Sequence, residues 1–417
     1  MAAVERVRSL PASGQDSIIM KLTVRSALAG LMIMAAGNVA ANAKDSVVIG
    51  APLPVTGALS PEGTKLRQGY ELWREQVNAA GGVKVGDRRL KVDLRYYDYQ
   101  SQTPRAIQVA EKLITDDKVD FLFSPFGSGA TKAASAVAEK AGVPMIASSA
   151  SSKEVFDQGY KNLFGVYTDN STFSEPLADL VKAKLPNARR VAILARNDLY
   201  PLSLANEFEK SAKKRGFDVV FFEKYAIGTL DHASALTQLR AAKPDWIVAT
   251  GYINDLITIR KQAADLKVGG EAFTLINGPA YQEWISAVGP LAENVTTASW
   301  FHPVARYSSD DVFGSSAKFV ELFKAKYGSE PDFTQASGSA VGVVLQQAIE
   351  RAGSLDRDKV RAELKKGGFK TFFGPISFSD IGIADSYVPP VLQIQDGKVQ
   401  VVAPAEIATS TFRTGLK

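Results

Sequence analysis

From residue 47 onward the apolar positions alternate between two periods. Short, mostly apolar runs at 47–51, 119–123, 191–194, 219–222, 246–249 and 273–276 read as strands, and 119–123 is of the kind buried in a parallel sheet. Between them the spacing changes to that of helices. Leu66, Tyr70, Trp73 and Val77 recur at i, i+4, i+7 and i+11, and Gly81-Gly82 ends that stripe. Leu90, Val92, Leu94 and Tyr96 alternate as a strand, and the segment after Thr103 reads as a helix with Val109 and Leu113 inward. A second series follows residue 167, with helices near 172–184, up to 215, 236–242, 254–265 and 283–288. Residues 315–367 are mostly helical, with Phe319, Leu322, Phe323 and Tyr327 on one face, and Asp396-Gly397 signals a closing hairpin. Strand and helix succeeding each other twice over predict an α/β chain of two doubly wound lobes.

The clearest unit is 121–156, which reads as strand, Gly/Ser loop, helix, strand and a second Ser-rich loop. The helix over 129–141 is expected to place Ala133, Val137 and Ala141 on one face. Both loops leave the carboxyl ends of neighbouring strands, where open α/β sheets bind ligands. Small hydroxyl residues and exposed amides suit an anion, and a carboxylate at the N-terminus of this helix would meet unsatisfied N–H groups, with Ser128 or Thr131 adding a hydroxyl. Plain helix capping would use the same residues.

Composition narrows the choice of function. The 417 residues are 46% hydrophobic and 22% charged, enough for two or three folded domains, and the net charge of +5 is spread without a basic block, which argues against nucleic acid as a partner. Residues 20–43 carry Lys21 and Arg25, an apolar stretch from Ala27 to Ala36, and Ala41-Asn42-Ala43 as a cleavage site, so a leader at 1–43 is expected to contain a secretory signal peptide and the mature chain to begin at Lys44 in the periplasm. The start at Met1 does not fit that signal, and Met20 is the better start. There is no cysteine, and His232 and His302 lie far apart, so neither disulfides nor a metal site is expected. No nucleophile elbow, phosphate loop or dinucleotide fingerprint occurs, and no catalytic constellation or cofactor site follows.

Taken together, the stretches VVIGAPLPVTGALSPEG, NAAGGV, LKVDLRYYDYQSQTPRA, FSPFGSGAT and VPMIASSAS resemble the extracytoplasmic solute-binding proteins of ABC importers, and among them the leucine/isoleucine/valine-binding type. The resemblance runs from about residue 47 to about 395. It implies a type I periplasmic-binding fold, two Rossmann-like lobes joined by a three-strand hinge and closing on a ligand, with no catalysis. The crossings would fall near Tyr167, Trp300 and Pro375, giving a first lobe of 44–167 plus 301–375 and a second of 168–300 plus 376–417. Carried over by position, Ser128, Ser149 and Ser151 look like carboxylate-binding residues, with Phe126, Gly127 and Ala150 in the same two loops. Tyr200 and Tyr252 match aromatic positions of the second lobe that close over the ligand, although a tyrosine at a strand end can equally be packing.

Three departures bear on the ligand. Asn277 stands where amino-acid binders place a glutamate for the α-ammonium, Glu62 stands at an aromatic position of the first loop, and Pro201 replaces a glycine. The expected partners are therefore a small hydrophobic or aromatic carboxylate and a membrane permease, the protein being a monomer; a branched-chain or other hydrophobic amino acid is the alternative ligand. A receptor domain of the same fold would continue into a membrane span, and a sugar-responsive regulator would carry a DNA-binding helix pair in place of the signal peptide. Neither feature is read in this chain.

Overall fold

The computed structural model describes residues 44–304 and 306–415; the signal peptide expected at 20–43 and its cleavage site lie outside the described residues. Strands β1 (Ser46–Leu53), β2 (Val83–Val85), β3 (Arg88–Asp98), β4 (Phe121–Phe123), β5 (Met145–Ala147) and β6 (Leu163–Thr168) belong to one seven-stranded sheet. Strands β7 (Arg190–Arg196), β8 (Asp218–Tyr225), β9 (Trp246–Thr250), β10 (Ala272–Ile276) and β11 (Thr296–Ala298) belong to another. A small hairpin of β12 (Phe369–Thr371) and β13 (Gly374–Ile376) stands apart. The short β14 (Ile383–Ala384) returns to the first sheet, and β15 (Val391–Gln395) with β16 (Lys398–Ala403) completes the second.

The parallel strands of the two sheets run in the orders β3-β1-β4-β5-β6 and β8-β7-β9-β10-β11, the same winding in each lobe. In both, the strand order reverses between the lobe's first strand and the one on its other side, which are β1 and β4 in one lobe and β7 and β9 in the other. Such a switch point leaves a crevice beyond the carboxyl ends of the strands. Every residue singled out for binding follows the carboxyl end of β1, β4, β5, β7, β9 or β10.

Two expectations are corrected. The third crossing is not near Pro375: Ile383 pairs with Gly165 and Ala384 with Thr168 in β6, so residues up to 384 stay with the first sheet and the chain crosses between Ala384 and Val391. The added strand covers the open edge of β6, which would otherwise expose unpaired backbone groups. Helix Ser128–Lys140 buries Ala130, Thr131, Ala134, Ser135 and Ala138 rather than Ala133, Val137 and Ala141. Its small side chains let it approach helix Thr103–Thr115, and Ala134 and Ala138 share a core cluster with Ala110 and Leu113. Val109 of that neighbouring helix is only partly buried.

Helix Phe333–Ala352 is held on the first lobe by a close crossing with helix Ser60–Ala79. A Cβ on Gly69 would lie 2.1 Å from the Gln335 carbonyl oxygen, and one on Gly342 would lie 2.1 Å from the Trp73 ring. Only glycine permits this approach. The asparagine-like turn at Asp396-Gly397, with φ of 53° and 73°, joins β15 to β16 as the hairpin signal implies. Among the described residues no helix is long and apolar enough to cross a membrane.

Candidate functional site

The loop after β4 turns at Gly127, with φ of 87°, directly into helix Ser128–Lys140. No side chain caps this helix. Ser128 instead points its hydroxyl oxygen at the neighbouring loop, where it accepts from the amides of Ser151 and Ser152, both at 3.3 Å. In return, the Gly127 amide donates to Ser149 Oγ at 3.3 Å. The two loops are thus laced to each other by hydroxyl groups, and this arrangement leaves the first-turn amides of the helix without a side-chain partner. The Thr131 hydroxyl is spent on the Pro125 carbonyl at 3.0 Å. Ser151 donates to Asn170 Oδ1 at 2.8 Å.

The second lobe faces these loops with aromatic groups. Asp198 accepts from the Leu199 amide at 2.8 Å and so starts helix Leu199–Lys214, which carries Tyr200 into the cleft. The Tyr200 hydroxyl donates to Asn277 Oδ1 at 3.2 Å, and Asn277 follows β10 with a left-handed φ of 77°. Tyr252 follows β9; its amide donates to Asp255, which also accepts from Arg196 at 2.8 Å, and the guanidinium lies 5.0 Å from the Tyr252 ring centre. Tyr252 meets Phe126 of the first lobe at 5.9 Å between ring centres. At the hinge, Tyr167 and Trp300 stack at 3.9 Å, nearly parallel. Burial pushes the Tyr200 and Tyr252 hydroxyls well above their usual range, so both stay neutral.

Phe126, Gly127, Ser149, Ser151, Tyr200, Tyr252 and Asn277 share one cleft. Ser128 and Ala150 are fully buried beneath it; Ser128 shapes the loops, and Ala150 packs into the core. Glu62 is 3% exposed, and one of its carboxyl oxygens has no hydrogen-bond partner. Sequence reasoning missed Tyr167, Tyr281, Trp300 and Phe333 as lining residues, the last from a helix distant in the chain. The space between the lining groups is about 10 Å³, room for one water molecule.

Contacts between lobes surround the cleft. Lys65 binds Glu283 of the second lobe at 2.7 Å and Asp332 of the first at 2.5 Å. Ser203 donates to Glu154 at 3.0 Å, and the Tyr281 and Thr334 hydroxyls meet at 2.9 Å. The cleft lining itself contains no charged side chain, so a bound carboxylate would be held by amides and hydroxyls. Among the described residues no acidic, histidine or cysteine group is arranged to hold a metal.

This architecture matches known proteins. The family described as "Periplasmic binding protein" matches residues 46–386. The chain is similar to Leu/Ile/Val-binding protein homolog 7 of Brucella suis biovar 1, with 27% identity over 412 residues covering 95% of this chain and 98% of that one. The substrate-binding protein LivJ of Streptococcus pneumoniae, solved with isoleucine, superposes with a TM-score of 0.76 at 28% identity, covering 86% of this chain and 100% of that one. A solute-binding protein from R. palustris, solved with benzoate, shares the fold with a TM-score of 0.73 at 21% identity, covering 86% of this chain and 96% of that one. The chain therefore belongs to the periplasmic binding protein family, as a type I solute-binding protein of the leucine/isoleucine/valine-binding type.

Proposed function

We propose that this protein captures a small hydrophobic or aromatic carboxylate lacking an α-ammonium between its lobes in the periplasm and delivers it to a membrane permease, without chemical change. The observation that carries this reading is the pairing across the cleft. First-lobe amides and hydroxyls around Gly127, Ser149 and Ser151 suit a carboxylate, and the rings of Tyr200, Tyr252 and Trp300 suit an apolar body. Asn277 brings no charge to the cleft, and its side-chain oxygen already accepts from Tyr200. A buried ammonium left unpaired there would cost several kcal/mol.

A hydrophobic amino acid is the second reading, favoured by one observation: Glu62 carries a buried carboxyl that feels Arg196 of the second lobe. Thermal unfolding against a panel of benzoate, 4-methyl-2-oxopentanoate, leucine, isoleucine and phenylalanine separates the two. Ligand at about 100 times Kd adds about 2.7 kcal/mol of stability, so binders stand out. Stabilisation by the acids and not by the amino acids supports the first reading; the reverse pattern supports the second.

A further inference from the structure

Glu62 lies in the first turn of helix Ser60–Ala79, buried just outside the closed cleft's lining. The charges that act on it are Lys65 from its own helix, Asp332 from the start of helix Phe333–Ala352, and Arg196 from the end of β7. The hydroxyls of Tyr99, Tyr252 and Tyr281 in turn feel its charge. Lys65 is committed to Asp332 and Glu283, and Arg196 to Asp255. Of the carboxyl group's own two oxygens, Oε2 is buried without a hydrogen-bond partner. A buried carboxylate in this position either takes a proton or needs a donor from outside the protein.

We propose that Glu62 is a proton-linked specificity residue: it takes a proton from solvent when a carboxylate closes into the cleft, and as a neutral acid it tolerates that anion and offers it, or a polar group on its body, a hydrogen bond. This rests on the carboxylate-binding reading above. Burial, opposed by the Glu62 amide and by Lys65, holds the group at about 7 instead of 4.5, so the proton is available near neutrality. A second negative charge raises that value further, which is proton uptake on binding. A ligand ammonium would do the opposite and expel the proton. The sign of the pH dependence therefore reports the ligand class. The histidines do not compete in this window, since burial holds His302 at about 4 and pushes His232 below its usual value.

The first test needs no ligand. A carboxyl whose value is raised on folding gives its full stability below pH 4.5 and loses it as pH rises through 7. The melting temperature of the wild type is expected to fall relative to Glu62→Gln from pH 5 to about 7 and to level off between about pH 7.5 and 8.5; a constant difference overturns the proposal. In the second test, benzoate and phenylalanine are titrated by calorimetry. One proton taken up predicts benzoate binding about tenfold weaker at pH 8 than at pH 6. Glu62→Gln flattens this profile, and Glu62→Ala binds more weakly than Glu62→Gln at each pH. An unchanged slope in Glu62→Gln, or binding that strengthens with rising pH, overturns the proposal. If Tyr200→Ala still abolishes binding in that case, the carboxylate-cleft reading stands and only the role of Glu62 falls. Binding of both probes unaffected by Tyr200→Ala, or binding of neither, overturns both.

Discussion

The Tyr200 hydroxyl donates to Asn277 Oδ1 across 3.2 Å, joining the first turn of helix Leu199–Lys214 to the loop after β10 beside the cleft. Asn277 is thus oriented by its neighbour and neutral. Replacing it with glutamate would set a second negative charge beside a bound carboxylate. We expect Asn277→Glu to weaken benzoate binding by tenfold or more, about 1.4 kcal/mol, and to strengthen binding of phenylalanine, as measured by calorimetry.

Ser128 and Ser151 are expected to differ in effect. The resemblance alone suggests that losing either hydroxyl weakens binding and leaves the ligand-free fold untouched. In the structure Ser128 accepts from two buried amides, so Ser128→Ala strands both and should cost about 1–3 kcal/mol of ligand-free stability in chemical denaturation. Ser151 is bonded to a side chain, Asn170. Ser151→Ala should spare stability by comparison and reduce carboxylate affinity by about tenfold, the loss expected for a hydrogen bond to a charged group.

The ion pair of Lys65 with Glu283 bridges the lobes, and its acid partner is 61% exposed. Solvent screening limits such a pair to about 0.5 kcal/mol. Glu283→Gln should therefore lower ligand affinity only about twofold and remove part of its salt dependence, because Lys65 keeps its more buried partner Asp332. A loss beyond tenfold would mean that the pair does more than hold closed lobes together.

The two-lobed winding was legible because the strands 47–51, 119–123, 191–194, 246–249 and 273–276 are short, mostly apolar runs separated by helical stripes. The loops after β4 and β5 were legible as well, since ligand crevices follow the carboxyl ends of strands. What escaped is instructive. Ile383–Ala384 is a two-residue strand, too short to leave any period, yet it moves the third crossing past Ala384. The buried face of helix Ser128–Lys140 was misjudged because Val137 is its bulkiest apolar residue, whereas the close neighbour selects the small ones at Ala130, Ala134 and Ala138. Ser128 could be assigned to a loop but not to a direction: its hydroxyl turns to Ser151 and Ser152, which depends on a register between two loops that no local pattern records. Phe333 reaches the cleft from a helix more than two hundred residues beyond Gly127, and the tight crossing at Gly69 and Gly342 holds that helix on the first lobe.

The central claim is that the ligand is held between the lobes, and it can be measured as a distance. The chain contains no cysteine, so two introduced ones carry labels at chosen places only. Lys153 and Lys210 are exposed on opposite lobes and line one groove between them. With spin labels on Lys153→Cys and Lys210→Cys, pulsed dipolar spectroscopy should show a longer, broader distribution without ligand and a single shorter distance at saturation, since about 10 Å³ of space admits no organic acid until the lobes separate. An unchanged distribution at saturating ligand would contradict the account.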